Sequence, residues 1–318
     1  MVRRVLAALA AALLPAAAAA WPDKPVQILV TVSAGGSIDL IARTIGAELA
    51  SRLHQPVLVE NRPGANGNIA AAAVAHAAPD GYTLLATGGS TLNLNPFLYR
   101  QLAFDPVTGF APVTLTAYTN FILVVRPTLE VNSVAEFIAL AKKEPGRLNY
   151  GSAGNGSLTQ IATELFNSAA GIRTSHVPYK GLSPAVNDLL AGQIDFMFDS
   201  ATTVPYIKSG KLKALAVVGP KPLRALPQLK VLSAYGVKGV DVASGWHGVF
   251  APAGTPADIV RRLNTEIVAI LKTTSVQERI VALGAEPASS TPEELARRLA
   301  RDLQTLGPVV KRTGATLD

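Results

Sequence analysis

The sequence predicts an α/β fold: two doubly wound lobes with a ligand cleft between them. Three observations predict it. Short apolar runs alternate with amphipathic stretches along most of the chain, the pattern of successive βαβ units. The runs are nearly continuously apolar, as expected for strands buried on both faces of a parallel sheet. Three of them end in small-residue clusters: Ser33-Ala34-Gly35-Gly36-Ser37, Thr87-Gly88-Gly89-Ser90-Thr91 and Ser152-Ala153-Gly154-Asn155-Gly156-Ser157. Clusters of this kind offer unobstructed N–H groups and hydroxyls at strand ends, where open α/β sheets bind ligands. The first and third also sit at predicted helix starts, which favour anions.

The first strand is Val26–Val32. Helix Ile38–Leu53 follows, with Ile38, Ile41, Ala42, Ile45, Leu49 and Leu53 on one face. Strand Pro56–Glu60, a turn-rich loop over 61–67, helix Ile69–Ala78 and strand Tyr82–Ala86 come next, and Pro79-Asp80-Gly81 stops the helix. Phe121–Val125 is a strand leaving the first lobe. Ser133 caps helix Val134–Lys143, with Glu136 at the capping-box position, and Ser157 caps Leu158–Ala170. Leu148–Gly151, His176–Pro178, Ile194–Phe198 and Ala214–Val218 form a second parallel set, and Ser183 caps helix Pro184–Ala191. Gly248–Ala251 returns to the first lobe, and Thr291-Pro292-Glu293-Glu294 opens a long C-terminal helix. The chain changes lobe near residues 122 and 248, so lobe one is 21–122 plus 248–318 and lobe two is 123–247.

Residues 1–20 read as a secretory signal peptide. Arg3 and Arg4 are its basic start, Val5–Leu14 is too short to span a bilayer, and Ala18-Ala19-Ala20 precedes the cut. A periplasmic product is expected. The chain has no cysteine, which excludes disulfides, thiolate metal sites and a thiol nucleophile. The net charge of +7 is scattered and shows no basic stripe interleaved with aromatics, so no nucleic-acid partner is expected. A Gly-x-Ser-x-Gly elbow, a phosphate loop and a complete dinucleotide fingerprint are missing. His54, His76, His176 and His247 do not sit at metal-ligand spacing, and packing or surface roles are expected for them. The reading is therefore a monomeric binding protein with no cofactor and no metal, not an enzyme.

The ordered motifs carry a family resemblance. Trp21-Pro22-Asp23-Lys24-Pro25, Ala34-Gly35-Gly36 with Asp39, and Val59-Glu60-Asn61-Arg62-Pro63-Gly64-Ala65 come first. Ala78-Pro79-Asp80-Gly81-Tyr82, the 148–157 segment, His176-Val177-Pro178-Tyr179-Lys180-Gly181, Asp195–Asp199 and Ala251-Pro252-Ala253-Gly254-Thr255-Pro256 follow. Together they resemble the Bug-type receptors, the extracytoplasmic solute-binding proteins of tripartite tricarboxylate transporters. The resemblance implies a hinge-closing receptor that delivers a small carboxylate to integral-membrane transporter subunits. A ligand-sensing partner of a membrane kinase is the alternative. It also implies that the carboxylate is held by Ala34, Gly35, Gly36, Asp39, Ser152, Ala153, Gly154, Asn155 and Ser157.

The residues themselves suggest roles. Gly35 and Gly36 let the backbone approach an oxyanion. Ser37 either caps its helix or touches ligand. Asp39 either feels the helix dipole or orients its loop. Asn155 and Ser157 can donate to an oxyanion, and Ser90 and Thr91 are further contacts. Tyr179 is a cleft wall or a packed ring. Asp199 accepts from a ligand hydroxyl or ammonium, or serves structurally. Thr31-Val32-Ser33 replaces a common Pro-aromatic ending, Ile38 replaces a small polar residue, and Ser200 replaces asparagine. These departures predict a more apolar and less aromatic pocket.

Overall fold

The computed structural model describes residues 21–317, and the predicted signal peptide lies outside them. Strands β1 (Val26–Val30), β2 (Val57–Asn61) and β3 (Thr83–Gly88) alternate with helices α1 (Ser37–Leu53) and α2 (Asn68–Ala75). Short helices α3 (Gly89–Asn93) and α4 (Asn95–Leu98) lead to β4 (Phe110–Thr119). The second lobe holds β5 (Phe121–Val125), α5 (Val134–Lys143), β6 (Asn149–Ser152), α6 (Leu158–Ala170) and β7 (Ser175–Pro178). It continues with α7 (Leu182–Leu190), β8 (Phe196–Asp199), α8 (Val204–Lys208) and β9 (Lys213–Val218). The chain ends with β10 (Gly245–Pro252), α9 (Ala257–Leu271), α10 (Thr274–Ala282), β11 (Glu286–Pro287) and α11 (Pro292–Thr313).

Two sheets result, ordered β11-β4-β10-β3-β1-β2 and β7-β6-β8-β5-β9. Strand β1 pairs in parallel with β2 and β3, and β6 pairs in parallel with β7 and β8. Each sheet is covered on both faces. Ile41, Ile45 and Leu49 of α1 pack with Leu263, Ile267 and Ile270 of α9 on one face of the first sheet. Ala70, Ala71 and Val74 of α2 pack with Trp246, Leu295 and Leu299 on the other. In the second lobe Phe137 and Phe166 cover one face, and Val186 and Leu189 the other. Full burial of one such leucine or phenylalanine contributes about 1.5–3 kcal/mol.

The expectation of purely parallel sheets is corrected. Strand β10 runs antiparallel to β3 and β4, and β5 runs antiparallel to β8 and β9. The cause is the way the chain changes lobe. Strand β4 leads out of the first lobe and β10 leads back in, so neighbours with opposite headings must pair antiparallel. Only Asn120 separates β4 from β5. The residues between Thr91 and Phe121 predict no element, yet they supply α4 and the ten-residue β4. Pro112 interrupts that strand's pattern and lies beside the register shift between Val249 and Phe250 of β10.

The last helix joins both cores. Leu295 and Leu299 pack in the first lobe, while Leu306, Val309 and Val310 pack with the second-lobe aromatics. Arg298, 10% exposed, donates through Nε to Asp302 at 2.7 Å. Fully buried Asp302 also accepts from Trp246 Nε1 at 2.8 Å and from Asn93 Nδ2 at 3.0 Å. Arg298 further donates to the Val242 and Ser244 carbonyls at 3.3 Å. The network therefore grips the chain where it returns to β10. No helix among the described residues is long and apolar enough to cross a membrane.

Candidate functional site

The first loop is built from behind by Asp39. Gly36, with extended backbone, occupies the N-cap position of α1, and no side chain caps it. Ser37 is thus the first helical residue rather than the cap. Asp39 is 1% exposed. Its Oδ2 accepts from Gly35 N–H at 2.8 Å, and its Oδ1 accepts from Arg43 Nε at 2.9 Å and Asn61 Nδ2 at 2.8 Å. Asn61 also donates to the Val32 carbonyl at 3.0 Å. Burial by itself raises the Asp39 pKa, but the Gly35 N–H, Asn61 and Arg43 outweigh it and hold the carboxyl below its ordinary 3.8. Gly35, at φ +86°, makes a turn that L side chains rarely adopt. Ser33 and Ala34 stay exposed at the tip.

The second loop meets the first. Thr91 is buried and donates to the Asn66 carbonyl at 3.1 Å. A Cβ on Gly67 would lie 2.5 Å from Thr91 Oγ1 and 2.9 Å from Thr31 Cβ, so only glycine lets the 64–67 turn close on both strand ends. The result is a cavity of about 330 Å³. Thr31, Ser33 and Ile38 line it on one side, Asn66 on another, and Ser90 and Thr91 on a third. The Thr31 hydroxyl is buried without a partner.

A second cavity of about 510 Å³ lies between the lobes. Ser37, Thr119 and the 281–285 turn line one wall, and Ser200, Thr202, Val204 and Pro205 line the other. Among the described residues no charged side chain lines either cavity. Any anion held here is met by neutral donors beside an apolar wall. Among the described residues no group of three or more His, Asp or Glu side chains is placed to hold a metal ion.

The third loop lines neither cavity. Its donors are tied up within the loop and α6. Gly154 N–H donates to Ser152 Oγ at 3.1 Å, Ala153 N–H to Thr159 Oγ1 at 3.0 Å, and Gly156 N–H to Gln160 Oε1 at 2.7 Å. Ser157 caps α6, accepting from Gln160 N–H at 3.3 Å. Asn155 is exposed at the tip. Gly156, at φ +73°, lies against Leu98 of the first lobe, which a Cβ would approach to 2.9 Å.

Asp199 is fully buried at the end of β8. It accepts from Thr202 Oγ1 at 2.7 Å and Thr203 N–H at 2.9 Å, closing the turn that presents Ser200 and Thr202 to the cavity. Burial pushes its pKa up, and these bonds oppose the shift. The Tyr179 ring packs beside Gly151, and its hydroxyl donates to Asp188 at 2.6 Å. Burial and that carboxylate push the Tyr179 pKa up to about 12. Helix α7 is capped at Gly181 rather than by Ser183.

Thr119 and Thr202 were not singled out by the sequence. Each ends or follows a strand, which is a usable signal, but β4 itself gives no apolar run to mark its end. His247 sits behind Thr119, with Nε2 at 3.4 Å from Thr119 Oγ1 and Nδ1 without a partner. Burial holds its pKa down at about 4. The unfolded chain therefore takes up a proton near pH 6.5 that the folded one refuses until about pH 4. Stability from this group is complete above pH 6.5 and falls as pH drops, by about 3 kcal/mol across the window. Urea unfolding at pH 7 and pH 5 is expected to show about 2 kcal/mol of this loss, and His247→Gln to reduce it. An equal loss in both proteins would refute the assignment.

Residues 41–315 match the sequence profile described as the tripartite tricarboxylate transporter family receptor. The chain belongs to this receptor family. Protein BugT of Bordetella pertussis is 35% identical over 305 residues, spanning 95% of this chain and 93% of its own. The R. palustris protein Rpa4515, solved with adipate, is 35% identical with a TM-score of 0.71, covering 93% of this chain and 100% of its own. A solute-binding protein of the family from Polaromonas, solved with no ligand, is 27% identical with a TM-score of 0.84, over 92% of this chain and 99% of its own. The Bug-type resemblance is thus borne out, and the receptor family is one of periplasmic solute-binding proteins rather than enzymes. The backbone overlays more closely on the ligand-free receptor than on the adipate-bound one, despite the lower identity.

Proposed function

We propose that this receptor captures a small aliphatic dicarboxylate between its lobes and hands it to integral-membrane transporter subunits. Residues 1–20 then direct export, and lobes 21–122 plus 248–318 and 123–247 close on the ligand. The observation that carries the reading is the convergence of two strand-end loops on an uncharged cavity, beside a second uncharged cavity between the lobes. The Ala34 N–H and the hydroxyls of Ser37, Ser90 and Ser200 supply donors, while the Gly35 N–H and the Thr202 hydroxyl are already given to Asp39 and Asp199. Val204, Val281 and Leu283 supply an apolar wall suited to a methylene spacer. Adipate in the R. palustris relative supports the ligand class.

The closer overlay on the ligand-free relative supports reading this arrangement as open, with the third loop brought to the ligand on closure. Ligand then stabilises the closed state by its greater affinity for that state. In a thermal-shift panel on protein stripped by unfolding and refolding, C4–C6 dicarboxylates are expected to raise Tm more than citrate or aromatic acids. A hundredfold excess over Kd stabilises by about 2.7 kcal/mol. No shift with any carboxylate would overturn the reading.

A further inference from the structure

The third loop is wired to a histidine through a chain of hydrogen bonds whose direction can be read from one end. Gly156 N–H can only donate, and it lies 2.7 Å from one terminal oxygen of Gln160, Oε1. That contact fixes the amide, so Gln160 turns its NH₂ group to His176 Nδ1 at 3.2 Å. An Nδ1 that accepts carries no proton, which leaves the proton on Nε2. Nε2–H then donates to Ser152 Oγ at 2.6 Å. Ser152 in turn donates to the Gly154 carbonyl and accepts from Gly154 N–H, both at 3.1 Å. Gln160 and Ser152 are both more than nine-tenths buried, so a broken link is not readily replaced by water.

We propose that His176 and Gln160 are positioning residues for the third loop, and that the loop holds this arrangement only while His176 is neutral. This rests on the receptor reading for its effect on ligand, but not for its effect on the loop. Protonating Nδ1 sets two donors face to face, the imidazolium N–H and the Gln160 NH₂. Flipping the amide relieves that pair and sets the NH₂ against Gly156 N–H instead. Either way one bond holding the loop is lost.

The other groups around the ring do not compensate. Tyr150 of β6 stacks on it with centroids 4.8 Å apart, and the Tyr150 hydroxyl donates to Glu164 of α6 at 2.6 Å. Burial and Glu164 keep that phenol neutral, above its ordinary range. Arg312 of α11 faces the same small cavity as Glu164 and Gln160. Burial lowers the His176 pKa, and Glu164 opposes this only in part. The loop is therefore ordered above the His176 pKa and loosens as pH falls through it, below the ordinary 6.5. Simple Coulomb attraction predicts the opposite sign, since an imidazolium near the loop would favour an anion.

The test uses the full mature chain, ¹⁵N-labelled. At pH 7.5 the His176 ring nitrogens are expected to show the Nε2–H tautomer. Hydrogen exchange at Gly154 and Gly156, corrected for the intrinsic pH dependence, is expected to quicken severalfold as pH falls through the His176 pKa, which the same ring-nitrogen spectra locate. With adipate as probe, affinity is expected to weaken severalfold in the wild type as pH falls through that same transition. His176→Gln keeps a donor toward Ser152 without a titrating proton, and its affinity should follow only the probe's own titration, which both proteins share. Gln160→Glu accepts from both Gly156 N–H and a protonated Nδ1, and it should raise the His176 pKa. An Nδ1–H tautomer at pH 7.5 would overturn the proposal, as would an acid loss as large in His176→Gln as in the wild type. If adipate does not bind at all, the receptor reading is what fails, and the tautomer and exchange data still decide the relay.

Discussion

Asp302→Ala is expected to cost about 3–5 kcal/mol of stability, the usual penalty for removing one partner of a buried ion pair. Asp302 is fully buried and accepts from Arg298, Trp246 and Asn93 together. Without it the Arg298 guanidinium, 10% exposed, keeps its charge with backbone carbonyls, the Ser244 hydroxyl and the face of the Tyr118 ring to meet but no anion. The Trp246 and Asn93 donors are orphaned at the same time. Asp302→Asn keeps one acceptor oxygen but leaves the Arg298 charge unneutralised, so an intermediate loss is expected. Guanidinium unfolding of the wild type and both variants measures this directly. A loss under 1 kcal/mol for the alanine variant would show that the network contributes little net stability. The location adds a further consequence. Arg298 holds the carbonyls just before β10, where the chain re-enters the first lobe. Loosening that grip is expected to reduce the cooperativity of unfolding between the lobes, seen as a lower denaturant slope.

Asp39→Ala is expected to abolish carboxylate binding and to destabilise the first lobe by about 2–4 kcal/mol. Three donors converge on this carboxylate, and the Gly35 N–H is one of them. Removing it releases the Ala34–Gly36 turn and leaves Arg43 and Asn61 without their shared acceptor. The loss of binding is indirect, since both Asp39 oxygens already face protein donors. Asp39→Asn separates the two effects. One amide oxygen still accepts from one of the donors, so the fold is largely retained while the turn is misaligned, and affinity is expected to fall at least tenfold. Calorimetric titration with a dicarboxylate that shifts the wild-type Tm gives the affinity, and unfolding curves give the stability. Wild-type affinity in Asp39→Ala would remove the first loop from the binding site. The pH dependence has a definite sign. The folded pKa is depressed, so the contribution is complete above the ordinary 3.8 and is lost as pH falls through the lower folded value.

These two carboxylates show what a sequence conveys and what it withholds. Asp39 was legible as a residue in the first turn of a helix, with dipole and orienting roles left open. The structure chose the orienting role because Asn61, at the end of the neighbouring parallel strand, comes within 2.8 Å of it. Asp302 carried only the i,i+4 spacing to Arg298 as a local signal, because its other partners, Trp246 and Asn93, lie 56 and 209 residues away. Thr119 escaped for a different reason. Its strand, Phe110–Thr119, contains Pro112 and alternating threonines rather than an apolar run. Its strand character comes from pairing with β10 on one edge and β11 on the other.

By itself the sequence determined the alternating elements, the caps at Ser133, Ser157 and Thr291, the small-residue loops at strand ends and the family. All of these are encoded within a turn or a strand of the chain, where spacing and local hydrogen bonding decide. The tertiary structure alone decided the antiparallel headings of β5 and β10 and the sharing of α11 between both cores. It alone brought the first two loops to one cavity and tied the Ala153, Gly154 and Gly156 N–H groups of the third loop to Ser152 and α6. Each of these depends on which distant segment the chain meets when it crosses between lobes. That is settled by packing and by the pairing of buried polar groups, not by any local pattern.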